Sequence, residues 1–131
     1  MTVIDCTVLA DFLVGESELQ QRAQRLWQED PHWISPALWR YELGSVLGKY
    51  FRAGRIDLDL MSELLAVSEG LVFETVDEID PALIAKISVS RGLSFYDASY
   101  VCLAMNRNLP LRTRDSKILK FCADLAKPMP M

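Results

Sequence analysis

Four acidic residues of this chain, Asp5, Glu42, Asp97 and Asp115, have the chemistry and the placement to bind metal ions. Mg²⁺ and Mn²⁺ prefer hard oxygen ligands, so clustered carboxylates suit these two ions better than zinc. Two such ions can activate a water molecule and stabilise the leaving oxygen during phosphodiester cleavage. Without metal, close carboxylates repel one another, and at least one should keep its proton. The acids therefore predict a catalytic metal site, provided that the fold brings them together.

Asp5 and Asp115 each follow a predicted strand. Asp5 closes the apolar run 2–4, and Asp115 lies two residues after Thr113, at the end of another β-type run. Ligands of open parallel sheets bind beyond the carboxyl ends of the strands, so both carboxylates should point into one crevice. Each residue is alternatively explained as the N-cap of the helix that follows it.

Glu42 and Asp97 lie in predicted helices, on faces that also carry apolar residues. Leu38 and Val46 lie one helical turn before and after Glu42, so an ionised carboxylate there needs a cation, hydrogen bonds or a route to water. Asp97 follows Ser94 by three residues and could complete a capping box, although Glu or Gln usually takes that place. Its position in the first helical turn should also direct its carboxylate toward the strand ends.

The strands and helices that must position these acids alternate along the chain. Apolar and β-branched runs predict strands at 2–4, 33–34, 71–76 and 109–113. A fifth strand within 127–131 should be short or frayed, because Pro128 and Pro130 lack amide donors. The order of elements favours an α/β fold, a three-layer α/β/α sandwich with a mostly parallel, five-stranded sheet, as a single domain over residues 1–131.

Helix starts are predicted from capping residues that precede amphipathic stretches. Ser35 followed by Pro36 predicts a helix that runs to about residue 53, and Gly54 should end it. A last helix is predicted over 117–126. The remaining predicted N-caps are Ser17, Asp57, Asp80 and Ser94.

The composition is compatible with a compact enzyme that needs no disulfide. Half of the 131 residues are apolar, and no apolar run approaches the roughly 20 residues of a membrane span, so we expect a cytoplasmic protein. Cys6, Cys102 and Cys122 lie far apart among apolar residues, which predicts reduced thiols. The net charge is −4, but if four acids bind metal, the remaining fourteen equal the fourteen Lys and Arg residues, and charge neither supports nor excludes RNA binding.

Four segments around the acids resemble the successive motif blocks of PIN-domain proteins: VIDCTVLADFL, ALWRYELGSVL, LSFYDASYVCLAM and LPLRTRDSKI. Their order and spacing match nearly the whole chain, at a size similar to that of the VapC toxins of toxin–antitoxin pairs. The resemblance implies a five-stranded parallel sheet and an endoribonuclease activity that depends on Mg²⁺ or Mn²⁺. It also implies an RNA substrate, a small antitoxin protein as inhibitor, and a homodimer.

The resemblance also assigns roles to single residues. Asp5, Glu42, Asp97 and Asp115 take the acidic positions that bind metal and catalyse cleavage. Thr113 falls where the family often has a hydroxyl that supports the last acid, and Thr7 could act similarly near Asp5. The proline-rich tail departs from the apolar last strand that is usual in the family.

Basic residues beside Asp115 are candidate contacts to RNA phosphates. Arg112, Arg114 and Lys117 flank this acid in the sequence, although such residues are as often simply solvated. Three aromatic residues near Glu42 could either receive a partner or pack in the core: Trp39, Tyr50 and Phe51.

Two alternatives remain at this point. A response-regulator receiver domain, which is a phosphoacceptor signalling module, would share the parallel sheet, a strand-end threonine such as Thr113 and a late Lys127–Pro128 step. Three features oppose it: the first strand ends in one acid and not in an adjacent pair, the third strand offers no well-placed phosphoacceptor, and no helix is predicted after Lys127. The other alternative keeps the PIN fold, as a nuclease of RNA maturation or decay or as a binding module that has lost activity.

Overall fold

A five-stranded parallel sheet forms the centre of the protein, which a computed structural model describes over residues 1–131. The strands are β1 (Thr2–Ile4), β2 (Trp33–Pro36), β3 (Val72–Val76), β4 (Leu111–Arg112) and β5 (Ala126–Lys127). They are ordered β3-β2-β1-β4-β5, and each neighbouring pair is parallel. The winding therefore reverses between β1 and β4, where a crevice opens beyond the strand ends. Receiver domains have the order 2-1-3-4-5, so this topology contradicts the receiver alternative.

Seven helices cover both faces of the sheet: α1 (Cys6–Val14), α2 (Ser17–Glu29), α3 (Trp39–Arg52), α4 (Leu58–Leu71), α5 (Pro81–Arg91), α6 (Phe95–Arg107) and α7 (Ser116–Phe121). Val3 and Ile34 belong to one buried cluster with residues of α6, whereas Ile4 and Trp33 belong to another with residues of α1 and α3. Successive strand residues point to opposite faces, so the sheet has a core on each side. The predicted α/β/α sandwich is thus confirmed. None of the helices combines the length and the apolar character needed to cross a bilayer.

Most predicted helix ends are found where the sequence places them. Asp57, Asp80 and Ser94 are N-caps whose side chains accept backbone N–H groups of the first turns. Gly92 ends α5 in the left-handed conformation, with φ of 67°. Ser17 differs, because it is the first helical residue and Glu16 precedes it as a cap without a side-chain hydrogen bond.

The predicted helix start at Ser35 and Pro36 is wrong. Both residues belong to β2, and α3 begins at Trp39. The Ser35 hydroxyl donates to the carbonyl oxygen of Ile4 at 2.7 Å, across the sheet, and Pro36 lies in register with Val76 of β3. Tertiary contacts therefore hold in a strand two residues whose local pattern is typical of a helix start.

The C-terminal elements are shorter than predicted. The fourth strand contains only Leu111 and Arg112, since the amide of Leu109 donates to Ala104 and closes α6. The last helix ends at Phe121 rather than at residue 126, which leaves Ala126 free to pair with Leu111. The fifth strand is short, as expected, but it lies at Ala126–Lys127 and shares only Lys127 with the predicted range 127–131.

Candidate active site

Asp5 lies at the end of β1, buried beneath the crevice, and it is the N-cap of α1. Its Oδ1 accepts the Thr7 amide at 3.1 Å and the Thr7 hydroxyl at 2.5 Å, and its Oδ2 accepts the Thr113 hydroxyl. Burial raises the pKa of Asp5 to about 6, although these hydrogen bonds act to lower it. The carboxyl group is therefore held in a fixed orientation and poised to titrate near neutral pH.

The segment 113–115 after β4 is fastened to Asp5 through two hydroxyl groups. The amide of Arg114 donates to the Thr7 hydroxyl oxygen, and the amide of Asp115 donates to the Thr113 hydroxyl oxygen, both at 2.9 Å. Asp115 is also the N-cap of α7, where its Oδ1 accepts the Ile118 amide at 3.0 Å. Thr113 thus bonds to the backbone of Asp115, the acid that the resemblance implied it supports, and also to the carboxylate of Asp5.

Glu42 lies half-buried in the first turn of α3. The hydroxyl of the buried Tyr100 donates to Glu42 Oε1 at 2.6 Å, from α6, whose core residues lie on the other face of the sheet. Burial raises the pKa of Glu42, and the charge of Asp97 raises it further, while the Tyr100 hydrogen bond opposes both. The Tyr100 hydrogen bond therefore stabilises the ionised Glu42 carboxylate, which lies on a helix face that also carries apolar residues.

Asp97 lies in the first turn of α6, where its amide donates to the Ser94 hydroxyl oxygen at 3.1 Å. Burial raises the pKa of Asp97, and the charge of Asp115 adds to this effect, whereas Lys117 lowers it. The charge of Asp97 in turn raises the pKa of Glu42. Burial raises the pKa of Tyr100, and the charges of Glu42 and Asp5 raise it further. The four acids therefore share one electrostatic neighbourhood, although they come from two helices and two strand ends.

The fit of a divalent ion to these residues rests on their oxygen donors and on their mutual repulsion. No group of three or more acidic, histidine or cysteine side chains lies close enough to hold a metal ion directly. Mg²⁺, however, usually keeps several waters and binds one or two carboxylates together with substrate phosphates, rather than an all-protein cage. Adjacent carboxylates with raised pKa values suit such an ion, and the four-acid ligand set stays a prediction.

The three basic residues that are predicted to contact RNA differ in their hydrogen-bond partners. The Arg114 guanidinium donates to Asp11 through Nε at 2.6 Å and Nη2 at 2.9 Å. Arg112 donates to the carbonyl oxygen of Pro128 at 2.6 Å. Lys117 is exposed, and its charge acts on Asp97. Of the three, Lys117 has the side chain that is free to meet a phosphate near the acids.

Asp11 and Cys6, both in α1, are two features of this region that sequence reasoning missed. Asp11 is only 3% exposed and its one charge partner is Arg114, which lies 103 residues later in the chain. No local pattern indicates such a pair. Burial raises the pKa of the Cys6 thiol to about 12, and the charges of Glu42, Asp5 and Asp11 act in the same direction. The raised pKa therefore disfavours the Cys6 thiolate, and all three cysteines are free thiols.

Comparisons with known proteins agree with this architecture. "Exonuclease VapC9" of Pyrobaculum aerophilum is 40% identical over 83 residues, which cover 60% of this chain and 59% of that protein's length. The crystal structure of PAE2754 from Pyrobaculum aerophilum matches with a TM-score of 0.77 and 25% identity, over 97% of this chain and 87% of the other. VapC20 of Mycobacterium tuberculosis, a sarcin–ricin loop cleaving toxin, shares the fold with a TM-score of 0.67 at 17% identity, over 95% of both chains. The family model of the PIN domain matches residues 2–123, and the chain therefore belongs to the PIN-domain family.

Proposed function

We propose that this protein is a divalent-metal-dependent endoribonuclease that cleaves RNA phosphodiester bonds. Asp5, Glu42, Asp97 and Asp115 are its catalytic and metal-binding acids. The observation that carries the proposal is the placement of these acids beyond the strand ends, where burial raises the pKa values of Asp5, Glu42 and Asp97. The charge of Asp97 raises the pKa of Glu42 further, and the charge of Asp115 raises that of Asp97. Such a concentration of negative charge is costly unless a cation offsets it.

The side chains around the acids prepare them for this role. When bound, Mg²⁺ or Mn²⁺ would activate water and neutralise charge on the phosphodiester. Thr7 and Thr113 donate to Asp5 and fix the direction of its carboxylate, and Tyr100 does the same for Glu42. Lys117 offers a positive charge beside Asp97 for a phosphate of the substrate.

The relatives support a biological role as the toxin of a toxin–antitoxin pair. VapC9 and VapC20 carry the names of this class, and the chain covers 59% of the length of VapC9. A small antitoxin protein would then be the inhibitor, and the toxin a homodimer. Expression of the chain alone should arrest growth, and the product of a small adjacent gene should relieve the arrest. A housekeeping nuclease of RNA maturation or decay would show neither effect.

The name of VapC9 favours a second candidate, which is cleavage from an RNA end. Linear and circular forms of one RNA separate the two activities, because a circle has no end. We expect the wild type to cut both forms with Mg²⁺ or Mn²⁺ and neither form with EDTA. Cleavage of the linear form alone would establish the exonuclease.

A matched pair of variants tests the site itself. Asp97→Asn should reduce the rate about 100-fold or more, because it removes a charge from the coupled acids. Asp59→Asn makes the same change in the first turn of α4, at an exposed residue, and should leave the rate unchanged. Equal activity of the wild type and Asp97→Asn would identify a contaminating nuclease and contradict the proposal.

A further inference from the structure

Two exposed tyrosines directly precede two of the candidate catalytic acids. Tyr41 precedes Glu42 in α3 and is 83% exposed, and Tyr96 precedes Asp97 in α6 and is 63% exposed. Both tyrosines line one pocket of about 360 Å³, together with Leu38 and Glu42. This volume lies in the range of small-ligand pockets, roughly 300 to 1,000 Å³. The pocket is therefore continuous with the candidate active site.

Because of helix geometry, each acid and the tyrosine that precedes it point in different directions. Consecutive helical residues point about 100° apart, so a carboxylate directed into the crevice leaves the preceding ring beside it, toward solvent. Tyr41 and Tyr96 come from different helices and reach the pocket from two directions, and neither ring packs against another aromatic side chain. The structure thus offers two unpartnered aromatic rings next to Glu42.

The charge around this pocket selects the kind of group that fits it. Glu42 lines it and Asp97 lies nearby, so an additional phosphate would be repelled unless a cation accompanied it. A nucleobase is neutral and planar, and single-stranded RNA is commonly bound by stacking its bases on aromatic side chains. A protein partner seated here would have to cover the Glu42 carboxylate as well, which costs free energy unless it is paired.

We propose that Tyr41 and Tyr96 form a stacking subsite for one unpaired base of the RNA, next to the phosphodiester held at the acids. The inference rests on the proposed nuclease function and adds the requirement for an unstacked base near the cut. A second pocket of about 260 Å³ continues from Leu38 and Tyr96 to Phe95 and Ile79. It extends the apolar surface along which the RNA strand could lie.

The test combines protein variants with a short single-stranded RNA whose cut site has been mapped. One set of substrates carries an abasic ribose at each position near the cut in turn. For the wild type, one abasic position should raise KM about 10-fold. Tyr41→Ala and Tyr96→Ala should raise KM for intact RNA by a similar factor, with little change in kcat. In these variants the abasic substitution at that position should raise KM much less than it does in the wild type. Tyr41→Phe should behave like the wild type, because it keeps the ring.

Phe51→Ala is the matched control, since Phe51 is 45% exposed at the opposite end of the same helix. It should leave KM unchanged. Cleavage that is indifferent to both tyrosines and to every abasic position would overturn the subsite and leave the nuclease function intact. Light scattering on the alanine variants tests a different occupant of this surface. If the variants dissociate from a dimer and lose activity equally on intact and abasic RNA, the surface belongs to a second copy of the chain. If the wild type cuts no RNA in total RNA with either metal, so that no cut site can be mapped, both proposals are overturned.

Discussion

Burial and hydrogen bonding act in opposite directions on the carboxyl group of Asp5. Loss of solvent is the larger effect and raises the pKa from its ordinary value of 3.8 to about 6, despite donors from Thr7 and Thr113. A folded-state pKa above the unfolded value means that the native protein keeps this proton to a higher pH. Its contribution to stability therefore falls as the pH rises between about 4 and about 6.

The Asp5→Asn variant should remove this titration. Relative to the wild type, its free energy of unfolding should increase by up to about 3 kcal/mol as the pH rises through that window. Urea unfolding of both proteins in EDTA, at intervals from pH 4 to pH 8, measures the difference. Glu42 and Asp97 are present in both proteins, so most of their titration cancels. A difference that does not change with pH would contradict the raised pKa of Asp5.

The ion pair between Asp11 and Arg114 should contribute more to stability than an ion pair at the surface. Arg114→Ala would leave the buried Asp11 carboxylate unpaired and should cost about 2 kcal/mol of stability. Arg40→Ala is the control, because Arg40 makes an equally bidentate pair with Glu69 at the surface, where less than about 1 kcal/mol is expected. Urea unfolding of the two variants makes the comparison. Equal losses would show that burial of Asp11 does not set the energy of its pair.

The sequence pattern predicts the burial of some residues but not the contacts of others. The sequence leaves open whether Trp39 receives a partner or packs in the core; the side chain is buried, and its Nε1 donates to the Thr75 hydroxyl at 2.9 Å. Its spacing of four residues to Leu43 and of eight to Leu47 already indicates the buried face. That face leaves Tyr41 outward, which the same periodicity predicts. The partner of Asp11, by contrast, lies beyond any window that a periodic pattern can report.

Secondary structure elements were predictable where their signals are local. The N-caps Asp57, Asp80 and Ser94 bond to amides two or three residues ahead, so the sequence contains both the cap and the helix that it starts. Ser35 and Pro36 carry a similar signature and form a strand, because Ile4 and Val76 provide better partners across the sheet. Register within the sheet is a tertiary property, and it overrode the local preference here.

The end of α1 depends on one glycine, which has a consequence for stability. A Cβ at Gly15 would lie 2.5 Å from the carbonyl oxygen of Asp11 and 2.8 Å from its Cα, both backbone atoms that cannot move aside easily. Gly15→Ala should therefore lower the free energy of unfolding by about 2 kcal/mol. Gly70→Ala, in α4 with open space around the added atom, should instead raise it by about 0.5 to 1 kcal/mol. Thermal and urea unfolding give both signs, and stabilisation by both variants would contradict the crowding at Gly15.

On the scale of the whole molecule, the sheet order explains why distant residues share one site. β1 and β4 are neighbours, and Asp5 and Asp115 follow them at the same edge of the sheet. The parallel sheet and its two covering layers were predictable from the alternation of strands and helices. The hydrogen bonds that hold the acids were not, because they depend on hydroxyl groups and helix starts that only the folded chain brings together.

The distribution of charge over the whole molecule limits how it can bind RNA. Four arginines are engaged in ion pairs with carboxylates: Arg40, Arg91, Arg107 and Arg114. Lys49 and Arg52 lie in the last turn of α3, at the end opposite to Glu42. With a net charge of −4, few cations remain near the crevice to neutralise phosphates. Metal ions and base stacking should therefore replace a basic surface.

The salt dependence of RNA binding measures this directly. Each phosphate neutralised on a single strand contributes about −0.7 to the slope of log K against log of the salt concentration. For the Asp97→Asn variant at constant Mg²⁺, we expect a slope no steeper than about −2, since two or three contacts are available. Lys117→Ala in the same background should make the slope shallower by about 0.7, because it removes one of those contacts. Fluorescence anisotropy over a NaCl series provides both values. A slope steeper than about −5 would reveal an extensive basic interface, which is incompatible with the paired arginines and with binding through metal and stacked bases.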